Sequence, residues 1–143
     1  ALWGTLPLPT EDKVKAVVDW YGPTDLLTMP PNVFSGRRTR ADLAKANGAL
    51  LIGGIVADLP EKARAVSSLH QVTKDDVPFL ILHGDADTAV PLDQSQRLHA
   101  ALQAAGVEST LKVLPGAGHG GKAFDSEESR ALIRSFLAKH LRR

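Results

Sequence analysis

The stretch that decides the fold is residues 77–91, which read Val-Pro-Phe-Leu-Ile-Leu-His-Gly-Asp-Ala-Asp-Thr-Ala-Val-Pro. Its first six residues are apolar, and the next ones are Gly, Asp and small side chains that favour a turn. A short apolar run bounded by turn residues is typical of a strand buried on both faces of a parallel sheet. We therefore predict a strand over residues 77–82 and a loop that begins at His83.

Two other runs have the same character. Residues 14–20 and 110–114 are short, mostly apolar and bounded by Gly, Pro or charged residues. A helical pattern lies between the second and third runs, and alternation of strands with helices is typical of βαβ units that form a parallel sheet. The sequence therefore predicts an α/β fold with about three parallel strands and helices on the faces of the sheet.

The helices are predicted from apolar spacing. Leu98, Ala101, Leu102 and Ala105 follow the i, i+3, i+4, i+7 pattern, which predicts a helix over residues 93–105. Asp93 and Gln96 have the spacing of a capping box at its start, and Gly106 ends it.

The last helix is predicted over residues 126–141, with Leu132, Ile133, Phe136 and Leu137 on one face. Acids stand in its first turn and bases in its last, as the helix dipole favours. Shorter helices are expected over residues 41–51 and 60–69.

An acid and a histidine follow two of the predicted strands. His83-Gly84-Asp85-Ala86-Asp87 comes after one strand, and Pro-Gly-Ala-Gly-His-Gly-Gly, residues 115–121, comes after the next. Chemistry in parallel sheets gathers at the carboxyl ends of the strands, so the two loops should meet at one edge. An Asp beside a His is the orienting half of a hydrolytic triad, and α/β hydrolases place the acid before the His.

Three motifs together resemble the C-terminal half of α/β-hydrolase esterases. They are residues 14–25, Val-Lys-Ala-Val-Val-Asp-Trp-Tyr-Gly-Pro-Thr-Asp, residues 77–91, and residues 115–120. The nearest likeness is to small esterases of the feruloyl and acetyl-xylan type, with features shared by the prolyl-oligopeptidase and dienelactone-hydrolase branches. The resemblance implies a single partial α/β-hydrolase domain over residues 1–143 that acts on a small-molecule ester.

The same resemblance implies two catalytic residues. It places the catalytic acid at Asp87, three residues before Val90-Pro91, and the general base at His119. Asp85 is the alternative acid, but it follows the strand so closely that we expect it to hydrogen-bond its own turn.

The nucleophile of this family is absent from the sequence. None of the eight serines lies in the Gly-x-Ser-x-Gly elbow that carries the nucleophile of α/β hydrolases. Residues 1–9 are expected to end the helix that follows the elbow. The sequence thus leaves two alternatives: the acid and base portion of a serine carboxylesterase, or an inactive half-domain that acts through assembly. Ser95 and Ser126 are less favoured nucleophiles, since an ordinary helix start lacks the elbow's backbone donors.

The composition restricts partners. The net charge of +1, from 17 basic and 16 acidic residues, gives no basic stripe for nucleic acid. No apolar run is long enough for a membrane span, and we expect no membrane contact. Without cysteine or a recognisable ligand spacing, we expect no metal and no cofactor.

Several single residues carry further expectations. Trp20 and Tyr21, at a strand end, are predicted to line a substrate pocket, and His83 to hold its loop through a backbone hydrogen bond. Asp25 is expected to cap a short helix from Leu26. Residues 29–40 are expected to form a solvated loop or, as the less favoured alternative, a lid in which Met29 or Phe34 touches substrate. His70, His99 and His140 are interpreted as ordinary helix or loop positions.

The strand over residues 14–20 should leave one edge open where the nucleophile-bearing strand pairs in the family. We therefore expect this edge to be covered by an N-terminal half of the same enzyme, by a second copy in a dimer, or by refolding of the first residues over it.

Overall fold

The computed structural model of the chain describes residues 14–30 and 39–141. Within these ranges three parallel strands form one sheet in the order β1-β2-β3, and five α-helices lie between or after them. The predicted α/β architecture is confirmed. The strands are β1 (Val17–Trp20), β2 (Phe79–Gly84) and β3 (Ser109–Leu114). The helices are α1 (Arg40–Ala44), α2 (Asn47–Ile52), α3 (Pro60–Val66), α4 (Leu92–Ala104) and α5 (Glu127–His140).

The central strand is β2, all of whose residues are buried. Val17 of β1 is aligned with Phe79 at one end of the pairing, and Trp20 with Leu82 at the other. On the opposite side Gly84 is aligned with Leu114. Because both pairings are parallel, the chain leaves all three strands at the same edge of the sheet.

The two faces of β2 pack against different helices, as period-2 alternation requires. Phe79 and Ile81 form one core cluster with Leu98 and Leu102 of α4. Leu80 and Leu82 form the other, which includes Phe136 of α5. The apolar faces predicted for these two helices are the faces that cover the sheet.

Element ends differ from the predictions in several places. The first and second predicted strands each begin later, at Val17 and at Phe79, and the second continues through His83 to Gly84. His83 is therefore a strand residue and not a loop residue, with its side chain on the α4 side of the sheet.

The helix predicted over residues 41–51 is two helices, because Ala46 takes an extended conformation between α1 and α2. The helix predicted over residues 60–69 ends at Val66, where Ser67 is extended, and a 3-10 turn (Ser68–Gln71) follows.

The predicted capping box on α4 is wrong. The helix begins at Leu92 with Pro91 at the cap position, and no side chain caps it. Asp93 already lies inside the first turn, so its carboxylate cannot serve as a cap. On α5 the cap is Ser126, whose hydroxyl accepts from the N–H of Ser129, and the charges at both ends are as predicted.

Among the described residues, β1 pairs only with β2, and no strand lies on its other edge. The large side chain of Trp20 is 40% exposed at the end of this strand. No helix within the described ranges is long and apolar enough to cross a membrane. The predictions for residues 1–9 and for Phe34 concern positions outside the described residues.

Candidate active site

The loop after β2 holds Asp87, whose carboxylate is fully covered. Its Oδ1 accepts hydrogen bonds from the backbone N–H groups of Ala89 and Val90, at 2.8 and 2.9 Å. Its Oδ2 lies 2.8 Å from Nδ1 of His119. Burial alone would raise the pKa of Asp87, but the bonds from Val90, His119 and Ala89 outweigh it and lower that pKa. Asp87 is therefore an anion at neutral pH, oriented by its own loop toward His119.

His119 lies on the loop after β3, and its side chain is 42% exposed. Since a carboxylate oxygen only accepts hydrogen bonds, Nδ1 of His119 carries a proton. Nε2 of the neutral ring is then an acceptor, and it has no hydrogen-bond partner among the residues that the structure describes. Such an imidazole can take a proton at Nε2 while the carboxylate stabilises the resulting cation.

Glycine at two positions lets the acid loop and the histidine loop approach each other. A Cβ on Gly84, at the end of β2, would overlap the carbonyl oxygen of Ala117 and would lie 2.7 Å from that of Gly118. Gly120, next to His119, has a φ of 103°, a backbone conformation that residues other than glycine rarely adopt. The Gly-rich motif thus has a steric reason at the point where the two loops touch.

Tyr21 packs against the histidine. The centroid of its ring lies 4.3 Å from that of His119, and it meets Phe124 edge-on at 4.8 Å. Tyr21 has a φ of 44°, and no other non-glycine residue in the described ranges has a positive φ. For a bulky residue this conformation costs about 1–2 kcal/mol, which the ring contacts must offset. Trp20 lies beside Phe124 at 6.0 Å, and a substrate contact for Trp20 or Tyr21 stays a prediction.

A buried histidine lies behind the acid. Nε2 of His83 lies 2.9 Å from the carbonyl oxygen of Val90, which confirms the predicted backbone hydrogen bond. The same Nε2 is 3.4 Å from Oδ2 of Asp87. Because a carbonyl only accepts, Nε2 is protonated, and Nδ1 of the neutral ring accepts from the hydroxyl of Ser95 at 2.6 Å. His83 thus fixes the loop that orients Asp87.

Asp85, the alternative acid, points elsewhere. It is exposed, and its Oδ1 accepts from the backbone N–H of Gly116 at 2.6 Å. The expectation that Asp85 bonds its own turn is therefore wrong, since it ties the acid loop to the neighbouring loop. Its carboxylate supports the approach of the two loops.

A second buried Asp also contacts a His. Asp25 Oδ1 lies 3.1 Å from Nε2 of His70, and its Oδ2 lies 2.9 Å from Nη2 of Arg97. Oδ1 also accepts from the N–H of Leu27, but residues 26–29 form a single turn, so the expected helix cap is wrong. Burial alone would raise the pKa of Asp25, and bonds from Thr28, Arg97, Leu27 and His70 outweigh it and lower that pKa.

The alternative nucleophiles have other partners. Ser95 is fully buried and bonded to His83, where no substrate can reach it. Ser126 caps α5.

His99 contacts Ser109, and His140 lies near Glu108. Within the described ranges, no group of three or more His, Cys, Asp or Glu side chains could hold a metal ion.

A cavity of about 380 Å³ opens beside His119. Met29 and Pro30 line it, which places the start of the predicted lid at the cavity, while residues 31–38 lie outside the described ranges. The remaining lining residues come from the loop after β1, from α1 and α2, from the turn after α2, and from the acid loop. They are Pro23, Leu26, Leu27, Leu43, Ala46, Asn47, Gly48, Ile55, Val56, Ala57 and Val90.

Sequence reasoning missed two parts of this arrangement. The sequence places Ser95 only at an ordinary helix start, and its contact with His83 becomes apparent only from the position of His83 on the sheet. The left-handed backbone of Tyr21 has a local signal, because Gly22-Pro23 follows it, but those residues do not identify which one bears the positive φ.

Solved structures that superpose on this chain include esterases. A truncated carbohydrate esterase from gut microbiota superposes with a TM-score of 0.76 at 33% identity, over 91% of this chain and 44% of that one. An esterase from Thermogutta terrifontis shares the fold with a TM-score of 0.61 at 23% identity, over 94% of this chain and 47% of that one. The described residues thus have the fold of part of an α/β-hydrolase domain, and the chain resembles esterases of that fold.

The family follows from the sequence itself. The BD-FAE family model matches residues 7–102, and the chain belongs to this family. Esterase LipC of Mycobacterium tuberculosis is 30% identical over 123 residues, 84% of this chain. The chain spans 28% of the length of that relative.

Proposed function

We propose that this chain contributes the general base, His119, and the acid, Asp87, of a Ser-His-Asp carboxylic-ester hydrolase. The observation that carries the proposal is the 2.8 Å contact of Asp87 Oδ2 with Nδ1 of His119, which leaves Nε2 without a partner among the described residues. His119 also lines a cavity. The family and the esterase fold support the same reaction class.

The proposed nucleophile is a serine on a segment outside these 143 residues, placed along the unpaired edge of β1. In α/β hydrolases the nucleophile precedes the acid and the base in the chain, and the oxyanion donors come with it and with an earlier loop. The same segment would cover the open edge and the exposed ring of Trp20. We prefer it to a dimer because it also supplies the missing catalytic group.

In each half of the proposed reaction, Nε2 of His119 first accepts a proton and then donates it. The serine Oγ bonds to the ester carbonyl carbon as its proton moves to His119 Nε2, and Asp87 stabilises the imidazolium. The tetrahedral intermediate then expels the alcohol, whose oxygen takes the proton from Nε2. Water repeats both steps on the acyl-enzyme and releases the acid. Positioned general acid–base catalysis of this kind contributes about 10²- to 10⁴-fold.

The test compares the 143-residue chain with the product of its complete reading frame. We expect only the complete protein to hydrolyse p-nitrophenyl acetate and to be labelled by a fluorophosphonate probe, with the label mapped by mass spectrometry to a serine upstream of Ala1. His119→Ala should abolish both signals. Labelling of Ser95 or Ser126, or equal activity in the His119→Ala protein, would contradict the proposal. A complete protein that does neither would favour the inactive half-domain.

A further inference from the structure

The cavity beside His119 has a wall of uniform chemistry. Of its described lining residues, only Asn47 and His119 carry polar side chains, and none carries a charged group, a hydroxyl or a benzene or indole ring. The other side chains are aliphatic or the thioether of Met29. The volume of about 380 Å³ lies at the small end of the range for ligand pockets.

This wall discriminates between classes of ester. A sugar hydroxyl or a phenol placed against it would lose its hydrogen bonds to water and find few replacements, a loss that strongly disfavours binding. A methylene chain gains from the same transfer, by about fourfold in affinity for each CH₂ removed from water. Met29 adds a flexible side chain that can adapt to chains of different length.

The wall is held from behind by buried polar contacts. Gln94 of α4 accepts from the backbone N–H groups of Thr24 and Asp25 at 3.0 and 2.8 Å. Ser67 accepts from the N–H of Leu26 at 3.0 Å. These bonds, with the Asp25 contacts to His70 and Arg97, fix the loop that presents Leu26 and Leu27 to the cavity. A pocket with a fixed wall needs less ordering when it binds, which favours affinity.

We propose that this cavity is a subsite for an unbranched aliphatic chain of the ester, a proposal that rests on the proposed ester-hydrolase function. The chain belongs either to the acyl group or to the alcohol, and both present the same methylene chemistry to the wall. The subsite selects medium-length aliphatic esters over acetylated sugars and over hydroxylated aromatic esters.

The test measures kcat/KM of the complete protein in two series. One series varies the acyl chain in p-nitrophenyl acetate, butyrate, hexanoate, octanoate and dodecanoate, and the other varies the alcohol in ethyl, butyl, hexyl and octyl acetate. We expect one series to rise by about threefold to fourfold per CH₂ up to hexanoate or octanoate length. Methyl ferulate and acetylated xylo-oligosaccharide should be poorer substrates than the best member of that series.

A pair of variants ties the selectivity to the cavity. Val56→Asp places a carboxylate in the wall and should lower the ratio of octanoate to acetate kcat/KM, or of octyl to ethyl acetate, by at least about tenfold. Leu50→Asp introduces the same charge at an exposed α2 position that does not line the cavity, and should leave the ratio unchanged. Ala57→Asp, at an exposed lining position, should reproduce the effect if Val56→Asp does not fold.

The outcomes separate the two proposals. Flat profiles in both series, or highest activity on methyl ferulate or the acetylated sugar, overturn the aliphatic subsite if His119→Ala is inactive. An equal loss of ratio in Val56→Asp and Leu50→Asp also overturns it. If His119→Ala is as active as the wild type, the proposed function fails, and the subsite proposal that rests on it fails with it. The activity of His119→Ala therefore distinguishes this outcome from failure of the subsite proposal alone.

Discussion

Two buried aspartates in this molecule each contact a histidine, and their surroundings assign them different tasks. Asp87 meets His119, whose ring is 42% exposed beside the cavity and whose Nε2 has no partner among the described residues. Asp25 meets His70 through Nε2 itself and also binds Arg97 and Thr28, so its oxygens are occupied by structural partners. The lesson is that an Asp–His contact indicates a working base only where the histidine faces a cavity and the carboxylate is not already paired with a guanidinium or ammonium group.

The pKa direction does not separate the two pairs. The pKa is lowered for both Asp87 and Asp25, in each case because hydrogen bonds outweigh the effect of burial. What differs is whether a positively charged side chain neutralises the carboxylate. Asp25 has a guanidinium beside it, whereas among the described residues no Lys or Arg contacts Asp87, and its anion is available to stabilise an imidazolium.

The largest expected effect comes from removing each histidine in turn. His119→Ala should lower kcat for p-nitrophenyl acetate by about 10⁵-fold or more, because the base acts as a unit with the nucleophile. His70→Ala should change kcat only a few-fold. The measurement is steady-state kinetics on the complete protein, with circular dichroism to match the folded fraction. Comparable losses in both variants would remove the distinction between the pairs.

The next effect concerns the acid. Asp87→Asn should lower kcat by about 10⁴-fold, since an amide favours the wrong tautomer of His119. Asp85→Asn is the matched control on the same loop and should cost only a few-fold, because Asp85 accepts from Gly116 and not from His119. If Asp85→Asn is the more damaging change, the assignment of the acid must be reversed.

The approach of the two loops gives a third prediction. Gly84→Ala would force the backbone of residues 117 and 118 away from β2 and displace His119 from Asp87. A shift of about 1 Å can cost on the order of 10²-fold in rate. Gly118→Ala is the control, because a Cβ there meets its nearest atom, the carbonyl oxygen of Ala86, at 4.0 Å. Similar kinetics for both variants would show that close contact at Gly84 is not needed.

The smallest effect on activity, and a measurable one on stability, is expected at Asp25. Asp25→Asn should lower the free energy of unfolding by about 1–3 kcal/mol at pH 7, because buried partners lose a charged acceptor. The folded-state pKa of Asp25 is below its unfolded value, so its contribution is complete above about pH 3.9 and is lost as the pH falls through the folded pKa.

Urea unfolding of wild type and Asp25→Asn from pH 7 down to pH 3 checks this sign. The difference between the two proteins should shrink toward the acid end. A difference that is constant, or that grows as the pH falls, would show that the carboxylate charge of Asp25 does not stabilise the fold.

The sequence predicts best where structure depends on local pattern. The existence of β2, though not its ends, and the apolar faces that include Leu102 and Phe136 follow from spacing alone. The two loops meet because parallel strands end at one edge. Residues 22–76 were predicted less well. Their turns and short helices are fixed by distant partners such as Gln94, which binds the backbone of Thr24 and Asp25 across the chain.

The same limit applies to the candidate site. Asp87 and His119 lie in two motifs that the sequence alone makes recognisable, and their contact follows from the fold. The support of Asp87 by His83 and Ser95, and the packing of the Tyr21 ring against His119, depend on side-chain placement between elements far apart in the chain. The aliphatic cavity likewise combines residues from five separate stretches of the chain and has no signature in any one of them.

The central claim is that Asp87 holds His119 in the tautomer that keeps Nε2 available. Nitrogen-detected NMR of ¹⁵N-labelled histidines in the complete protein, above the pH at which the ring is charged, tests it most directly. We expect His119 to bear its proton on Nδ1, and we expect this tautomer to be lost in Asp87→Asn but kept in Asp85→Asn. A His119 protonated on Nε2 in the wild type, or a tautomer that Asp87→Asn does not change, would contradict it.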